Sequence, residues 1–272
     1  YMVTTYKDSD VRRVVALDKA KAESTEDALA DPIKAKVFQH YMDKSEVPMG
    51  PMVDGAGNRI SGIEDFLGRD QYGIDSPHPN MVVSDILEQF PVLSHAGKFH
   101  AMLATSSIPE AVNYYHLFKQ QAPKLHVTAL FDPNIDNNEG ATDKEDALTE
   151  IITDYNEAFG KEFIIPTWPA MKKDISSRLS HKSPYGGIAT NRSQQLDLLI
   201  VVDQMLTGFD SKWVNTLYLD KIIDYESIIQ AFSRTNRLFG PDKPFGVIRY
   251  YRKPHTMHAV SYTHLTLPTI CS

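Results

Sequence analysis

Apolar positions in the first ninety-odd residues recur at helical spacing in short bursts. Behind Ser9, placed as a cap, Val11, Val14 and Val15 form the first stripe. The second burst carries its own start signal: Asp31 supplies a capping oxygen, Pro32 suits the first helical position, and Ile33, Val37 and Tyr41 follow until Met42. Gly50, Pro51, Gly55, Gly57, Gly62, Gly68, Gly73 and Pro77 then interrupt the stretch from Pro48 to Pro79, which predicts a long connection without a long element. A third helix is expected from about Met81, with Val82, Ile86, Leu87 and Phe90 on one side and Gly97 as its stop. The domain boundary is set here.

After Gly97 the pattern changes to apolar runs of strand length alternating with amphipathic helices, the sign of βαβ units. The runs are Phe99 to Ala104, Leu125 to Phe131, Leu198 to Val202, Val214 to Leu219 and Pro244 to Tyr251. Leu198 to Val202 is apolar on both faces, as a central parallel strand covered on both sides should be. Capping boxes mark two helix starts, Ser107 with Glu110 and Thr142 with Glu145. The second leads into Leu148, Ile151, Ile152, Tyr155 and Phe159 and closes at Gly160. The expected fold class is α/β: a parallel sheet flanked by helices over residues 98–257, preceded by a mainly helical and irregular segment, 1–97. Residues 258–272 are set apart, because Ser261 to Thr269 looks like translated sequencing-adapter read-through.

Composition narrows the class. In 272 residues, 42% are apolar and 23% charged, as in ordinary globular chains. No apolar run approaches the roughly 20 residues of a membrane span, and the chain opens Tyr1-Met2-Val3 without a basic then apolar leader, so membrane and secretory readings are disfavoured. The single cysteine, Cys271, cannot form an internal disulfide, and the cytoplasm is the expected compartment. A net charge of −7 argues against coating nucleic acid by bulk charge but not against a local basic site. Acidic residues crowd Asp132 to Glu157, relieved only by Lys144, whereas Arg234, Arg237, Lys243, Arg249, Arg252 and Lys253 gather near the end. An anionic ligand is expected there.

Three constellations carry candidate chemistry. Gln230-Ala-Phe-Ser-Arg234-Thr-Asn-Arg237 follows the run Val214 to Leu219. On a helix, Gln230, Arg234 and Arg237 fall within an arc of roughly 60°, with Ile228 and Phe232 opposite. Planar guanidinium forks suit phosphate or carboxylate oxygens; the alternative is a solvated basic face. Thr207, Gly208 and Asp210 follow the run Leu198 to Val202, in the kind of loop where open parallel sheets bind ligands; the alternative is an ordinary turn. Thr105 and Ser106 end the run from Phe99, just before a helix start whose free N–H groups suit a phosphate; Ser107 is read as its cap. His78, His95, His100, His116, His126 and His181 show no zinc-site spacing and are read as structural or surface.

Taken together, Ala104-Thr-Ser-Ser-Ile108, Leu206-Thr-Gly-Phe-Asp210 and Gln230 to Arg237 resemble, in identity and order, motifs IV, V and VI of superfamily 2 helicases. The likeness spans most of residues 81–257 and is strongest to the motor (R) subunit of type I restriction-modification enzymes. It implies a second RecA-like lobe. Arg234 and Arg237, supported by Gln230, would complete an ATP site across a cleft; Thr207, Thr105 and Ser106 would contact the DNA backbone; Gly208 and Asp210 would couple the two. It also implies ATP and Mg2+, bound mainly by a first lobe, with double-stranded DNA and the modification and specificity subunits as partners. Asp174, beside Met171, Lys172, Lys173 and Arg178, resembles a family stretch of unclear role. Neither Gly97-Lys98 nor Gly160-Lys161 has the upstream glycine of a P-loop, and no Walker B or nuclease cluster is found, so the chain is read as a fragment that is inactive alone. A lobe of another superfamily 2 motor and a non-catalytic nucleic-acid-binding or coupling module are the alternatives.

Overall fold

The apolar periodicities resolve into two compact units in the computed structural model, one formed by residues 1–72 and 250–272 and the other by 73–249. The described residues are 1–132, 141–202, 211–223, 235, 237 and 239–265. Among them no helix is long and apolar enough to cross a membrane.

In the first unit, α1 spans Asp8–Ala20, α2 Thr25–Ala30 and α3 Pro32–Met42. Ser9 is not the cap of α1: the helix begins one residue earlier, Lys7 stands at the cap position, and Asp8 and Asp10 face the positive end of the helix dipole. Its buried face contains Val11, Arg12, Val15 and Ala16, whereas Val14 is 62% exposed. The start of α3 follows expectation, with the Asp31 carboxylate accepting from the N–H groups of Ile33 and Lys34 at 2.7 and 3.1 Å. Its buried residue is Phe38, however, and Ile33 is exposed, because the α3 face turned to α1 lies around Phe38, Val37 and Tyr41. Buried Arg12 ties the two helices by donating to the carbonyls of Tyr41 and Asp43 at 2.8 and 3.3 Å.

The glycine-rich connection holds only a two-residue hairpin, β1 Met52–Val53 with β2 Arg59–Ile60, and short 3-10 turns at Ile63–Phe66 and Arg69–Tyr72. A β-carbon on Gly62 would stand 2.4 Å from the Gly50 carbonyl carbon, so the chain crosses itself here only because residue 62 carries no side chain. Glu64 is fully buried. Its carboxylate accepts from the Tyr6 hydroxyl (2.6 Å), the Thr256 hydroxyl (2.6 Å) and the N–H groups of His255 and Thr256 (3.0 and 2.7 Å). It thereby caps the closing helix, Pro254–Leu265. That helix runs into the stretch set apart above: Ser261 is buried, with its hydroxyl 2.7 Å from that of Tyr250. Cys271 lies outside the described residues.

The second unit opens with α4, His78–Leu93, which buries Val82, Val83, Ile86 and Phe90. The boundary expected at Gly97 is displaced to residue 73, because α4 is bonded into the sheet unit: Asn215 donates to the Leu93 carbonyl at 2.7 Å and Arg249 grips Asp85 at 2.7 Å. Five apolar runs become five strands: β3 His100–Thr105, β4 Val127–Leu130, β5 Leu198–Val201, β6 Val214–Asp220 and β7 Val247–Tyr250. They form one parallel sheet in the order β4-β5-β3-β6-β7, flanked by helices, as the α/β expectation requires. Every residue of β3, β5 and β6 is buried, which explains why these runs lack a polar alternation. β5 has a partner on each side, and β3 is the middle strand.

α5 spans Ile108–Gln121, α6 Ala141–Phe159 and α7 Trp168–Leu179. Thr142 falls inside α6, not ahead of it, while Leu148, Ile151, Ile152, Tyr155 and Phe159 are its buried stripe, as their spacing predicts. The helices α6 and α7 enclose a polar knot. Fully buried Arg178 lies over the Phe159 and Tyr185 rings and donates to the Tyr155 and Tyr185 hydroxyls (3.1 and 2.9 Å), Asp174 (3.2 Å) and the Gln194 carbonyl. Burial raises the Asp174 carboxyl, but the Tyr155 and Tyr185 hydroxyls and Arg178 outweigh it and hold that carboxyl below its ordinary value. The part played by Asp174 is thus internal, anchoring Arg178.

At the other end of β3, buried His100 has Nδ1 against the Leu196 carbonyl and Nε2 2.8 Å from Nε2 of His181, whose ring stacks on Trp213 at 3.8 Å. A carbonyl only accepts, so His100 carries its proton on Nδ1 and accepts from His181. Both rings are then neutral. Burial and the adjoining His181 push His100 down to about 3; burial and Lys212 push His181 down to about 4.

Two outcomes follow. Arg178→Ala removes the cation from a closed network and should cost about 3–5 kcal/mol, as loss of one partner of a buried pair does; urea unfolding of the chain measures it, and a loss within about 1 kcal/mol contradicts the assigned role. For the histidines, unfolded imidazoles protonate near 6.5 while the folded rings refuse protons down to about 4 and 3, so stability falls as pH drops below about 6.5. For His100 the loss approaches about 1.4 kcal/mol per pH unit. The thermal midpoint of His100→Gln should therefore decline less between pH 6.5 and 4.5, and equal slopes would count against the neutral pair.

Candidate functional site

A sheet ordered β4-β5-β3-β6-β7 sends the chain to one side after β3 and to the other after β6, although those strands are neighbours. Connections that diverge in this way leave a crevice outside the C-terminal ends of the two strands, the usual ligand position in open parallel sheets. Thr105 and Asp220, the last residues of β3 and β6, are register partners at that point. β5, from which the chain leaves toward residues 203–210, flanks β3 on the opposite side.

Thr105 is fully buried and its hydroxyl turns inward, toward the carbonyls of Ser107 and Val201 at 3.3 and 3.4 Å. Ser106 is exposed; its N–H donates to the Glu110 carboxylate at 3.0 Å and its hydroxyl to the Asp220 carbonyl at 3.4 Å. The sequence treats the two as equivalent. The structure separates them, because the last side chain of a strand still points along the pleat while the next lies in the turn. Ser107 caps α5 by accepting from the Glu110 N–H at 3.3 Å, and the Glu110 side chain reaches back one residue further than in a simple capping box, to Ser106.

Asp220, which sequence reasoning passed over, is 1% exposed. Its carboxylate accepts from His78 Nε2 at 2.8 Å and from the Tyr114 hydroxyl at 2.7 Å, so α4 and α5 both fasten to the end of β6. His78, read as structural or surface, is a buried partner of this acid. The available signal was a lone acid closing a run of strand length, Val214 to Leu219.

The basic group near the end of the chain is not one patch. Arg249 is committed to Asp85, and Lys243 is buried and donates to the Lys212 and Val214 carbonyls at 3.2 and 2.7 Å, with burial alone lowering it to about 8. Arg252 lies by the Tyr72 ring at 5.5 Å, in the first unit. Arg237 is exposed, and a guanidinium has the charge and planarity to receive a phosphate. Gln230, Arg234, Thr207, Gly208 and Asp210 lie outside the described residues. Among the described residues no group of three or more His, Cys, Asp or Glu side chains is arranged to hold a metal ion.

A family profile described as type I restriction enzyme subunit R domain 3 matches residues 97–253. The chain is 35% identical over 195 residues to the type I restriction enzyme SsaAORF53P endonuclease subunit of Staphylococcus saprophyticus, covering 68% of this chain and 20% of that protein. It is 34% identical over 180 residues to the SauMRSORF196P endonuclease subunit of Staphylococcus aureus strain MRSA252, covering 63% of this chain and 18% of that one. The chain therefore spans about a fifth of the length of these relatives. The profile covers α5 to α7 and all five strands of the parallel sheet, with the crevice between β3 and β6 inside it, and on that match the chain belongs to the type I restriction enzyme R subunit family, in which residues 97–253 correspond to domain 3.

Proposed function

We propose that this chain is the second RecA-like motor lobe of an ATP-dependent double-stranded DNA translocase within a type I restriction endonuclease. The observation that carries the reading is convergence: the three segments resembling helicase motifs follow β5, β3 and β6, and these are adjacent strands of one sheet with parallel pairing. The C-terminal ends of three strands far apart in sequence thus lie side by side.

Arg234 and Arg237, with Gln230 in support, face the triphosphate of an ATP held mainly by a first lobe elsewhere in the R subunit. Bound with Mg2+, that nucleotide supplies the γ-phosphoryl group for transfer to water. Guanidinium groups stabilise charge on such a group as it departs, which raises turnover more than binding. Ser106 and Thr207 meet the DNA backbone, while inward-turned Thr105 fixes the strand end beneath Ser106; Gly208 and Asp210 link the two ligands. Hydroxyl contacts to phosphates follow a strand without reading its bases, as a translocating motor requires. Sequence recognition then falls to the specificity subunit, and the modification and specificity subunits are the partners. Alone, this chain hydrolyses no ATP.

In the complete R subunit, Arg237→Ala or Arg234→Ala should lower DNA-stimulated ATP turnover about 10³-fold, by analogy with arginine fingers. DNA affinity without nucleotide should change little. Steady-state hydrolysis at saturating DNA measures this, and undiminished rates in both variants contradict the reading. Ser106→Ala and Thr207→Val should weaken DNA stimulation while leaving the salt slope of DNA binding unchanged, since neutral donors release no counterions. A slope reduced by about one in either variant would be incompatible with a neutral contact.

A further inference from the structure

The edge strand β4 begins at the end of the sheet opposite the crevice, just after the turn from α5. There α5, α6 and the start of β4 line a cavity of about 260 Å³ that takes no part in the chemistry assigned above. Pro123, Leu125, Val127 and Ala158 make its wall mostly apolar, and His126 and Asp154 also line it. His126 has Nδ1 2.7 Å from the Gln195 carbonyl; a carbonyl only accepts, so the proton of the neutral ring sits on Nδ1 and Nε2 keeps a lone pair. Asp154 receives the Tyr115 hydroxyl and the Lys119 ammonium, at 2.5 Å each, on the same oxygen, Oδ2. Among the described residues no donor reaches Asp154 Oδ1 or His126 Nε2. Lys119 is shared with Glu150 at 2.8 Å, so two carboxylates stand against one ammonium here.

These features select the occupant by its chemistry. An anion would face the surplus carboxylate, and a wholly apolar molecule would strip water from both acceptors without replacing it. A primary ammonium on an unbranched alkyl stem answers both demands: its head brings three N–H donors and a positive charge, and its stem covers the apolar wall. We propose that this cavity binds a primary alkylammonium, with the head on Asp154 Oδ1 and His126 Nε2 and the stem against Leu125, Val127 and Ala158. The same head ends free diamines and lysine side chains. The site stands apart from the motor chemistry, so its failure leaves the motor-lobe reading intact.

The test is a saturation-transfer NMR titration of the complete R subunit at about pH 8, where an imidazole of ordinary basicity is neutral and a primary amine is charged. The probes are pentylamine, 1-pentanol and hexanoate, which share a stem and differ in the charge of the head. Pentylamine should bind with a dissociation constant on the order of 1 mM, 1-pentanol at least about tenfold more weakly, and hexanoate not measurably. Asp154→Asn removes the charge that the head meets, and Ala158→Trp fills the cavity from an exposed position of α6. Each should weaken pentylamine binding about tenfold or more. If Asp154→Asn does not fold, Ala158→Trp decides alone. Absence of pentylamine binding, equal binding of 1-pentanol, stronger binding of hexanoate, or undiminished pentylamine binding in Ala158→Trp overturns the proposal. Competition then separates the sources: the stronger competitor of putrescine and acetyl-lysine methylamide identifies a free diamine or a lysine side chain as the occupant, and displacement by neither overturns the proposal.

Discussion

A parallel sheet buried on both faces constrains everything else in the larger unit. With β3, β5 and β6 closed above and below, the polar groups of the crossing chain can emerge only at the strand ends. The N-terminal ends are filled by the His100 ring edge-on to His181, which stacks on Trp213, and by the cations of Lys98 and Lys212 over Phe239. The C-terminal ends carry hydroxyls, a capped helix start and a buried acid. The candidate chemistry therefore collects along one edge, where connections diverge and the backbone offers N–H groups to an anion.

Much of this was legible because hydrophobic burial writes itself into spacing. All five strands and the stripe of α6 are visible as runs or as three-and-four periodicities, since most of their side chains are apolar and buried. The cap at Asp31 is equally visible, because a side-chain oxygen ahead of a proline has a local purpose. What could not be read were decisions made by partners distant in sequence. Val14 and Ile33 are apolar yet exposed, for reasons that depend on which face the neighbouring helix covers. His100 and His181 pair across 81 residues, and no local spacing announces it.

The site follows the same division. Motifs that follow strands marked a candidate position in the sequence, whereas the distinction between Thr105 and Ser106 depends on where the pleat ends. The gathering of cations near the chain end suggested a single basic patch, but proximity along a chain is weak where strands and turns alternate. Arg249 and Lys243 point into the fold, one onto an acid and the other onto carbonyls. Asp220 and Asp174 show that a buried acid is recognised only through its donors: His78 and Tyr114 for one, Tyr155, Tyr185 and Arg178 for the other.

The smaller unit is discontinuous, since it is built from residues 1–72 and 250–272 with residues 73–249 of the sheet unit between them in sequence. Glu64 is where those two stretches are joined, through N–H groups that lie 191 and 192 residues later. On the ribosome this carboxylate emerges long before the groups that satisfy it, and meanwhile it can stay in water at no cost. Closure of the smaller unit around Glu64 is thus tied to residues 255 and 256, far along the chain from the acid that they satisfy.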